Sequence, residues 1–211
     1  MAATNQLSSD INDDITGTAI NKSSVKERLR NTKWRQANIP LYLEKWEAAD
    51  DSTTIYWQSA PTAVGEILVA ATAKGVCFLG FNNDNRQETL DDLRMRFPHN
   101  PIEESATIWH EEVQRHLDNP RHELPVHLHL KGTDFQLSIW GKLLLIPFGG
   151  LTTYSELGDG ARNARATGTA VGANPVSIIV PCHRVVRADG SYDGYYWGPK
   201  LKKKLLVYEG I

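Results

Sequence analysis

Apolar and polar positions change their rhythm three times along the chain. Residues 1–22 are rich in Ser, Thr, Asn and Asp and show no periodicity, so they have too little apolar surface to offset the entropy of ordering; a disordered start is expected. Ser24-Val25-Lys26-Glu27 has capping-box spacing, and Arg28, Leu29, Arg30, Lys33, Trp34 and Arg35 continue it as a short basic helix leading to Leu41, Leu43 and Trp46. From Thr54 the rhythm becomes that of short strands: Ile55–Trp57, Glu66–Ala70 and Val76–Phe81, with a hairpin turn at Ala73-Lys74-Gly75. Two helical patterns follow, carrying Leu90, Leu93 and Phe97, then Ile108, Val113 and Leu117, before an alternating strand at Val126–Leu130. Beyond Gly132 the pattern is helical. Thr133 can cap a helix over Asp134–Leu144 that stops before Pro147, Thr153–Leu157 starts a very short one, and Asn163–Ala173 forms a third made of small residues. Two short helices joined by Gly158-Asp159-Gly160 suggest a helix-turn-helix, with tight helix–helix packing as an equal alternative.

These elements predict an α+β fold. A poorly ordered extension with a short basic helix (1–53) precedes a small antiparallel sheet-plus-helix domain (54–130), and a mainly helical C-terminal domain with the helix-turn-helix completes the chain (131–211).

With 211 residues, 41% of them apolar, the chain can build one substantial core or two small ones. Cys77 and Cys182 are too few for a disulfide framework, and His127 and His129 on one strand are a weak metal signal, so neither metal nor cofactor is expected. No secretory leader and no membrane-length apolar run is recognisable, which predicts a cytoplasmic protein, nucleoid-associated in a prokaryote or nuclear in a eukaryote. The net charge is -2, yet residues 150–211 carry eight Lys and Arg against five Asp and Glu. A basic third beside an acidic remainder fits an anionic partner docking at one end, and fits a solvated helix face almost as well.

The candidate chemistry centres on Ile178–Val186, where an apolar run delivers Cys182 followed by His183 and Arg184. A free thiol, with a pKa of about 8.5, needs positive charge or an imidazole base to act as a nucleophile near neutrality. His183 and Arg184 are candidates for both. A structural cysteine at the end of a core strand is an equal alternative, because adjacent residues on an extended segment face opposite ways. Cys77, inside a β run, reads as a core residue.

The stretch from Phe135-Gln136 through Ile146-Pro147-Phe148-Gly149, Thr153-Tyr154, Arg165-Ala166, Gly168, Asn174-Pro175, Pro181-Cys182-His183-Arg184-Val185, Gly194-Tyr195 and Lys202 to Glu209-Gly210 resembles the O6-alkylguanine-DNA alkyltransferases. The likeness covers about residues 133–211 in order. The segment from Tyr154 to Arg165 is about three residues shorter than the family pattern, nearly one helical turn.

The resemblance implies DNA repair by a single-turnover transfer of an alkyl group from O6-alkylguanine in duplex DNA to Cys182, with O4-alkylthymine as a further candidate substrate. It implies His183 as base through a water, Glu209 as its orienting acid, Asn174 as a brace for the turn, and Tyr154 as proton donor to the departing guanine. Arg165 would fill the gap left by a flipped base, with Ala166 and Gly168 beside it on the DNA. Tyr195, Tyr196 and the backbone near Val185 would line the base pocket, and Lys202, Lys203 and Lys204 offer phosphate contacts from the minor-groove side, with a solvated helix face the favoured reading for at least one of them. The expected partner is double-stranded DNA containing alkylated guanine, bound by a monomer, with no membrane. The competing reading is a non-catalytic binder of alkylated DNA or a damage-sensing regulator derived from the enzyme.

Overall fold

The computed structural model describes residues 20–34, 42–82, 85–121 and 125–211. Helix α1 (Lys22–Asn31) begins before the expected Ser24 cap: Asn21 caps it instead, its side-chain oxygen accepting from Ser24 N at 2.9 Å. An Asn three residues upstream satisfies the same orphan N–H groups, so the helix extends backward by a turn. The expected disordered start and Leu41 lie outside the described residues, apart from Ile20 to Lys22.

Six strands form the main sheet: β1 (Tyr42–Lys45), β2 (Ile55–Thr62), β3 (Gly65–Thr72), β4 (Gly75–Phe81), β5 (Ile102–Glu104) and β6 (His127–Leu130). Their spatial order is β1-β6-β4-β3-β2-β5. The sheet is mixed, which corrects the expected antiparallel one. Only β2-β3-β4 is an antiparallel meander, whereas β1 and β4 run parallel to β6, and β2 parallel to β5. The reason lies in the connections. Helix α2 (Arg86–Arg96) intervenes between β4 and β5, and α3 (Ile108–Asp118) between β5 and β6, which gives the chain enough length to cross over and pair in parallel. Strand β1 also brings into the sheet a piece of the stretch expected to be a poorly ordered extension. Pro61 sits in β2 opposite Glu66, past the residues that β5 covers, so its missing N–H breaks no ladder bond.

Each face of the sheet is covered. Leu90, Leu93 and Phe97 pack with Trp46, Ile55, Trp57 and Phe78 on one side, in a cluster that also holds Cys77. That thiol is fully buried and its pKa is pushed far up by burial, which makes it an inert core residue. The other face joins Val113, Ile139, Trp140 and Leu143 to Val171, Val180, Cys182 and Leu205 in one continuous core. Helix α4 (Asp134–Leu143) starts as its sequence predicts, at a Thr133/Gln136 capping box, and Trp140 donates its indole N–H to the Ala170 carbonyl at 2.8 Å.

The rest is built from short pieces. Strand β7 (Thr152–Thr153) pairs in parallel with β8 (Val185–Val186), and α5 (Tyr154–Leu157), α6 (Ala164–Gly172) and α7 (Pro199–Tyr208) surround them. Helix α5 is a single turn, closed by Gly158 and by Asp159 at φ +56°. A 3₁₀ turn at Ala161–Asn163 leads into α6. No helix among the described residues is long and apolar enough to cross a membrane.

Candidate active site

The segment that carries Cys182 is tied to the main sheet before it reaches the thiol. Leu79 N donates to Pro175 O at 2.9 Å and Ser177 N to Leu79 O at 3.0 Å, so the segment docks against β4. Ile178 then adopts φ +66°, a left-handed conformation that is strained for a β-branched residue. Its neighbours hold it there: Ile179 N bonds Ser177 O at 2.8 Å and Val180 N bonds Val176 O at 3.0 Å.

Asn174 organises the turn that leads to the cysteine. Its side-chain oxygen accepts from Val176 N at 3.0 Å, while Nδ2 donates to Val180 O at 2.8 Å and to Cys182 Sγ at 3.1 Å. Cys182 itself opens a 3₁₀ turn, Cys182–Arg184, rather than continuing a strand. The thiol is therefore held by an N–H donor, and the expected brace also touches the sulfur.

Behind the thiol lies a buried charge network. His183 is fully buried and its Nε2 is 2.8 Å from Glu209 Oε1. The carboxylate can only accept, so Nε2 carries the hydrogen, and Nδ1 is left as a buried acceptor with no partner among the described residues. Burial lowers the His183 pKa, with Glu209 acting in the opposite direction, so the imidazole is neutral at rest. Glu209 also accepts from Arg184 Nε at 3.0 Å and Nη2 at 2.9 Å, and from Gly149 N at 2.9 Å. Burial would raise this carboxyl, but His183 and Arg184 hold it down at about 2. Gly149 has φ +72°, and a side chain there would meet the Glu209 backbone oxygen at 3.0 Å.

Two expectations change here. Arg184 does not serve the thiol: its guanidinium is committed to Glu209 and to the Ile146 carbonyl at 2.7 Å. Nor is Cys182 a resting thiolate, because burial pushes its pKa up despite the Asn174 hydrogen bond and the charge of Lys202. The proton must be removed as the sulfur reacts.

Lys202 departs furthest from expectation. Only 1% exposed, it cannot reach a phosphate; its Nζ donates to Val185 O at 2.6 Å and Gly194 O at 3.0 Å. Burial lowers its pKa to about 8, with Cys182 acting to raise it. A signal is present in the chain: Lys202, Leu205, Leu206 and Glu209 share one face of a helix at i, i+3, i+4 and i+7, so the face that buries the leucines buries both charges. Lys202→Met should therefore shift the pH–rate curve of Cys182 alkylation to higher pH and cut the rate at pH 7 by on the order of tenfold. Time-resolved mass measurement of the Cys182 peptide checks this, and an unshifted curve would remove Lys202 from the thiol's electrostatics.

The thiol opens into a pocket of about 220 Å³ whose walls include Tyr154, Gly168, Asn174, Tyr195 and Tyr196. The expected site residues are thus largely brought together. Val185 is the exception: its backbone, expected at the pocket, is absent from the pocket wall, its carbonyl accepts from Lys202 Nζ, and its side chain is fully buried in the core. Ser177 stands in the wall unannounced by any sequence pattern, and Gly194, part of the quoted family pattern, joins it there. Burial raises the pKa of both Tyr154 and Tyr195, so both keep their phenolic protons, and the buried Tyr195 hydroxyl lies beside Ser177 and Cys182. Tyr196 is 54% exposed and its hydroxyl donates to Asp92 at 3.1 Å. Arg165 and Ala166 are exposed on the first turn of α6, and the far end of that helix forms the pocket wall at Val171 and Gly172.

Known proteins share this chain's sequence and fold. A family model described as the DNA binding domain of 6-O-methylguanine DNA methyltransferase matches residues 134–211. The inducible methylated-DNA–protein-cysteine methyltransferase of Bacillus subtilis is 35% identical over 162 residues, 74% of this chain and 90% of that protein. The crystal structure of the Mycobacterium tuberculosis O6-methylguanine methyltransferase is similar at a TM-score of 0.60 and 30% identity, covering 74% of this chain and 93% of that one. A structure from the same organism in complex with DNA is similar at a TM-score of 0.58 and 31% identity, over 73% and 92% of the two chains.

Proposed function

The chain belongs to the methylated-DNA–protein-cysteine methyltransferases, and from that premise we propose that it repairs DNA by moving the alkyl group of O6-alkylguanine onto Cys182. One observation carries the assignment to Cys182: its sulfur lies in the wall of the pocket, bonded to Asn174, with the His183–Glu209 pair directly behind it.

The base of a duplex is out of reach of a buried sulfur, so the damaged nucleotide is rotated out of the stack into the pocket between Tyr154, Tyr195 and Tyr196. The thiol proton passes, through a water, to His183 Nδ1, the nitrogen left free by the Glu209 bond. The sulfur then attacks the alkyl carbon, the S–C bond forms, and the C–O6 bond breaks with its electron pair going to guanine. Tyr154, protonated at rest, offers a proton to the leaving base. Glu209, ionised, stabilises the imidazolium that results. The sulfur keeps its alkyl group, so each molecule reacts once.

Helices α5 and α6 act as the helix-turn-helix of a DNA-binding half that spans residues 131–211, with α6 set in the minor groove and Arg165 occupying the space of the extruded base. Lys203, partly exposed, offers a phosphate contact. The protein works as a monomer on genomic DNA.

Mixing stoichiometric protein with a duplex containing O6-methylguanine should add one methyl group to the peptide that carries Cys182. Retardation of the duplex without that mass increase would overturn the enzyme reading in favour of a binder. Arg165→Ala should slow transfer from a fully paired lesion by about tenfold, the rate that about 1.4 kcal/mol of lost stacking represents, and spare a single-stranded substrate. Equal slowing of both would remove its base-replacing role.

A further inference from the structure

Helix α1 lies outside residues 134–211, the part matched by the family, yet it is packed against the seat of Glu209. Its inward stripe is apolar: Val25 is fully buried against Leu151, Val186 and Leu206, with Leu29 and Ile211 beside them. At its N-terminal end the Lys22 backbone abuts Gly190, where a side chain would meet Lys22 O at 2.9 Å.

A chain of hydrogen bonds runs along the same face. Leu151 N donates to Thr32 Oγ1 at 2.9 Å, Thr32 Oγ1 donates to Arg28 O at 2.8 Å, and Arg28 Nη2 donates to Gly210 O at 2.9 Å. Its two ends grip the two backbone segments that frame Glu209: the Gly149–Leu151 loop, whose Gly149 N–H binds the carboxylate, and Gly210, the residue after it. Glu209 is the C-cap of α7, and the turn after it is closed by Gly210 N to Val207 O at 2.9 Å and Ile211 N to Leu206 O at 3.0 Å, with Gly210 at φ +81°. Arg28 ties this closed turn to α1 through the Gly210 carbonyl, beside the Arg184 and Gly149 bonds that aim the carboxylate at His183.

We propose that α1 is a brace for the catalytic carboxylate and that Arg28 is a positioning residue, acting through Gly210 on Glu209 and through Glu209 on the His183 imidazole. The inference rests on the alkyl-transfer reading for its rate effect. Arg28 touches neither the pocket nor the thiol, so its influence is confined to the placement of the pair behind Cys182.

In the full chain, Arg28→Ala should slow methyl transfer about tenfold, as expected when a catalytic group drifts by a fraction of an ångström. Arg28→Lys, which keeps a cationic donor, should recover most of the rate. In a Glu209→Gln background Arg28→Ala should cost almost nothing more, since its target is already lost. The His183 ring nitrogens, followed by ¹⁵N NMR, should report loss of the fixed Nε2–H tautomer in Arg28→Ala. A wild-type rate in Arg28→Ala, no recovery with lysine, or the same tenfold loss in the Glu209→Gln background would each overturn the proposal. If the wild-type protein transfers no methyl group, the alkyl-transfer reading fails, and the ¹⁵N spectrum still decides the brace: an unchanged His183 signature in Arg28→Ala refutes it, a changed one supports it.

Discussion

Cys182→Ala is expected to abolish methyl uptake completely while leaving affinity for duplex DNA within about twofold, a change of about 0.4 kcal/mol. The sulfur is the only atom in the pocket wall that can accept an alkyl group in this scheme, and no neighbouring group substitutes for it: the phenols of Tyr154 and Tyr195 stay protonated through burial, and the Cys77 thiol is sealed in the sheet core. Binding should survive because the proposed DNA-facing residues, Arg165 above all, stand on α6 and do not touch the sulfur. The fold should survive too. Alanine fills most of the space of a small buried thiol and costs about 1 kcal/mol, and the Asn174 amide keeps its stronger bond to Val180 O. Mass measurement of the Cys182-containing peptide after exposure to methylated duplex, beside a binding titration, reads both outcomes. Methyl transfer to another residue, or loss of binding together with transfer, would mean that the cysteine is structural.

Glu209→Ala should be the most damaging substitution for stability and nearly as damaging for transfer. Removing the carboxylate leaves the Arg184 guanidinium partly buried without its counter-charge and His183 without its orienting acceptor. Breaking a buried pair from one side costs about 3–5 kcal/mol, a large part of the stability of a typical domain. Transfer should fall by about a hundredfold, because the imidazole loses both its tautomer and the charge that stabilises it when protonated. Glu209→Gln separates the two effects, since it keeps the shape and an acceptor oxygen while losing the charge. The same network contributes to the acid sensitivity of the fold. The folded-state pKa of Glu209 is about 2, below its ordinary value of 4.5, so its stabilising contribution is present above pH 4.5 and is lost as pH falls toward 2. Acid titration followed by circular dichroism should show this loss in the wild type and a shallower pH dependence in Glu209→Gln.

Much of this protein is legible in its sequence. The Thr133 capping box, the hairpin at Gly75 and the short strands before it depend on neighbours within four residues, and they lie where local chemistry places them. The proposed reacting set is legible in a different way, through the ordered match of Tyr154, Asn174, Cys182, His183 and Glu209 to a known family: the first three meet around one pocket, and the last two form a hydrogen-bonded pair. Directions are not legible. Val185, its backbone expected at the pocket, gives its carbonyl to Lys202 instead; Lys202, expected on the surface, points inward at two carbonyls; and Arg184, expected to serve the thiol, serves Glu209. Each of these depends on which side of a short element faces which neighbour. The parallel pairing of β1, β5 and β6 escapes a local reading for a related reason: strand direction is decided by crossovers longer than any local pattern.

The sequence by itself left Cys182 balanced between nucleophile and core residue, and only its resemblance to a family implied that Cys182, His183 and the distant Glu209 act as one set, because spacing along the chain does not say which side chains meet. Only the tertiary structure decided how charge is apportioned among them. It buries the thiol so that it rests protonated, assigns Arg184 to the carboxylate and Lys202 to the thiol's surroundings, and lays α1 against the turn that holds Glu209. The physical reason is that burial and close charge pairing act across space, between residues as far apart as Arg28 and Gly210, and neither leaves a periodic trace in the chain.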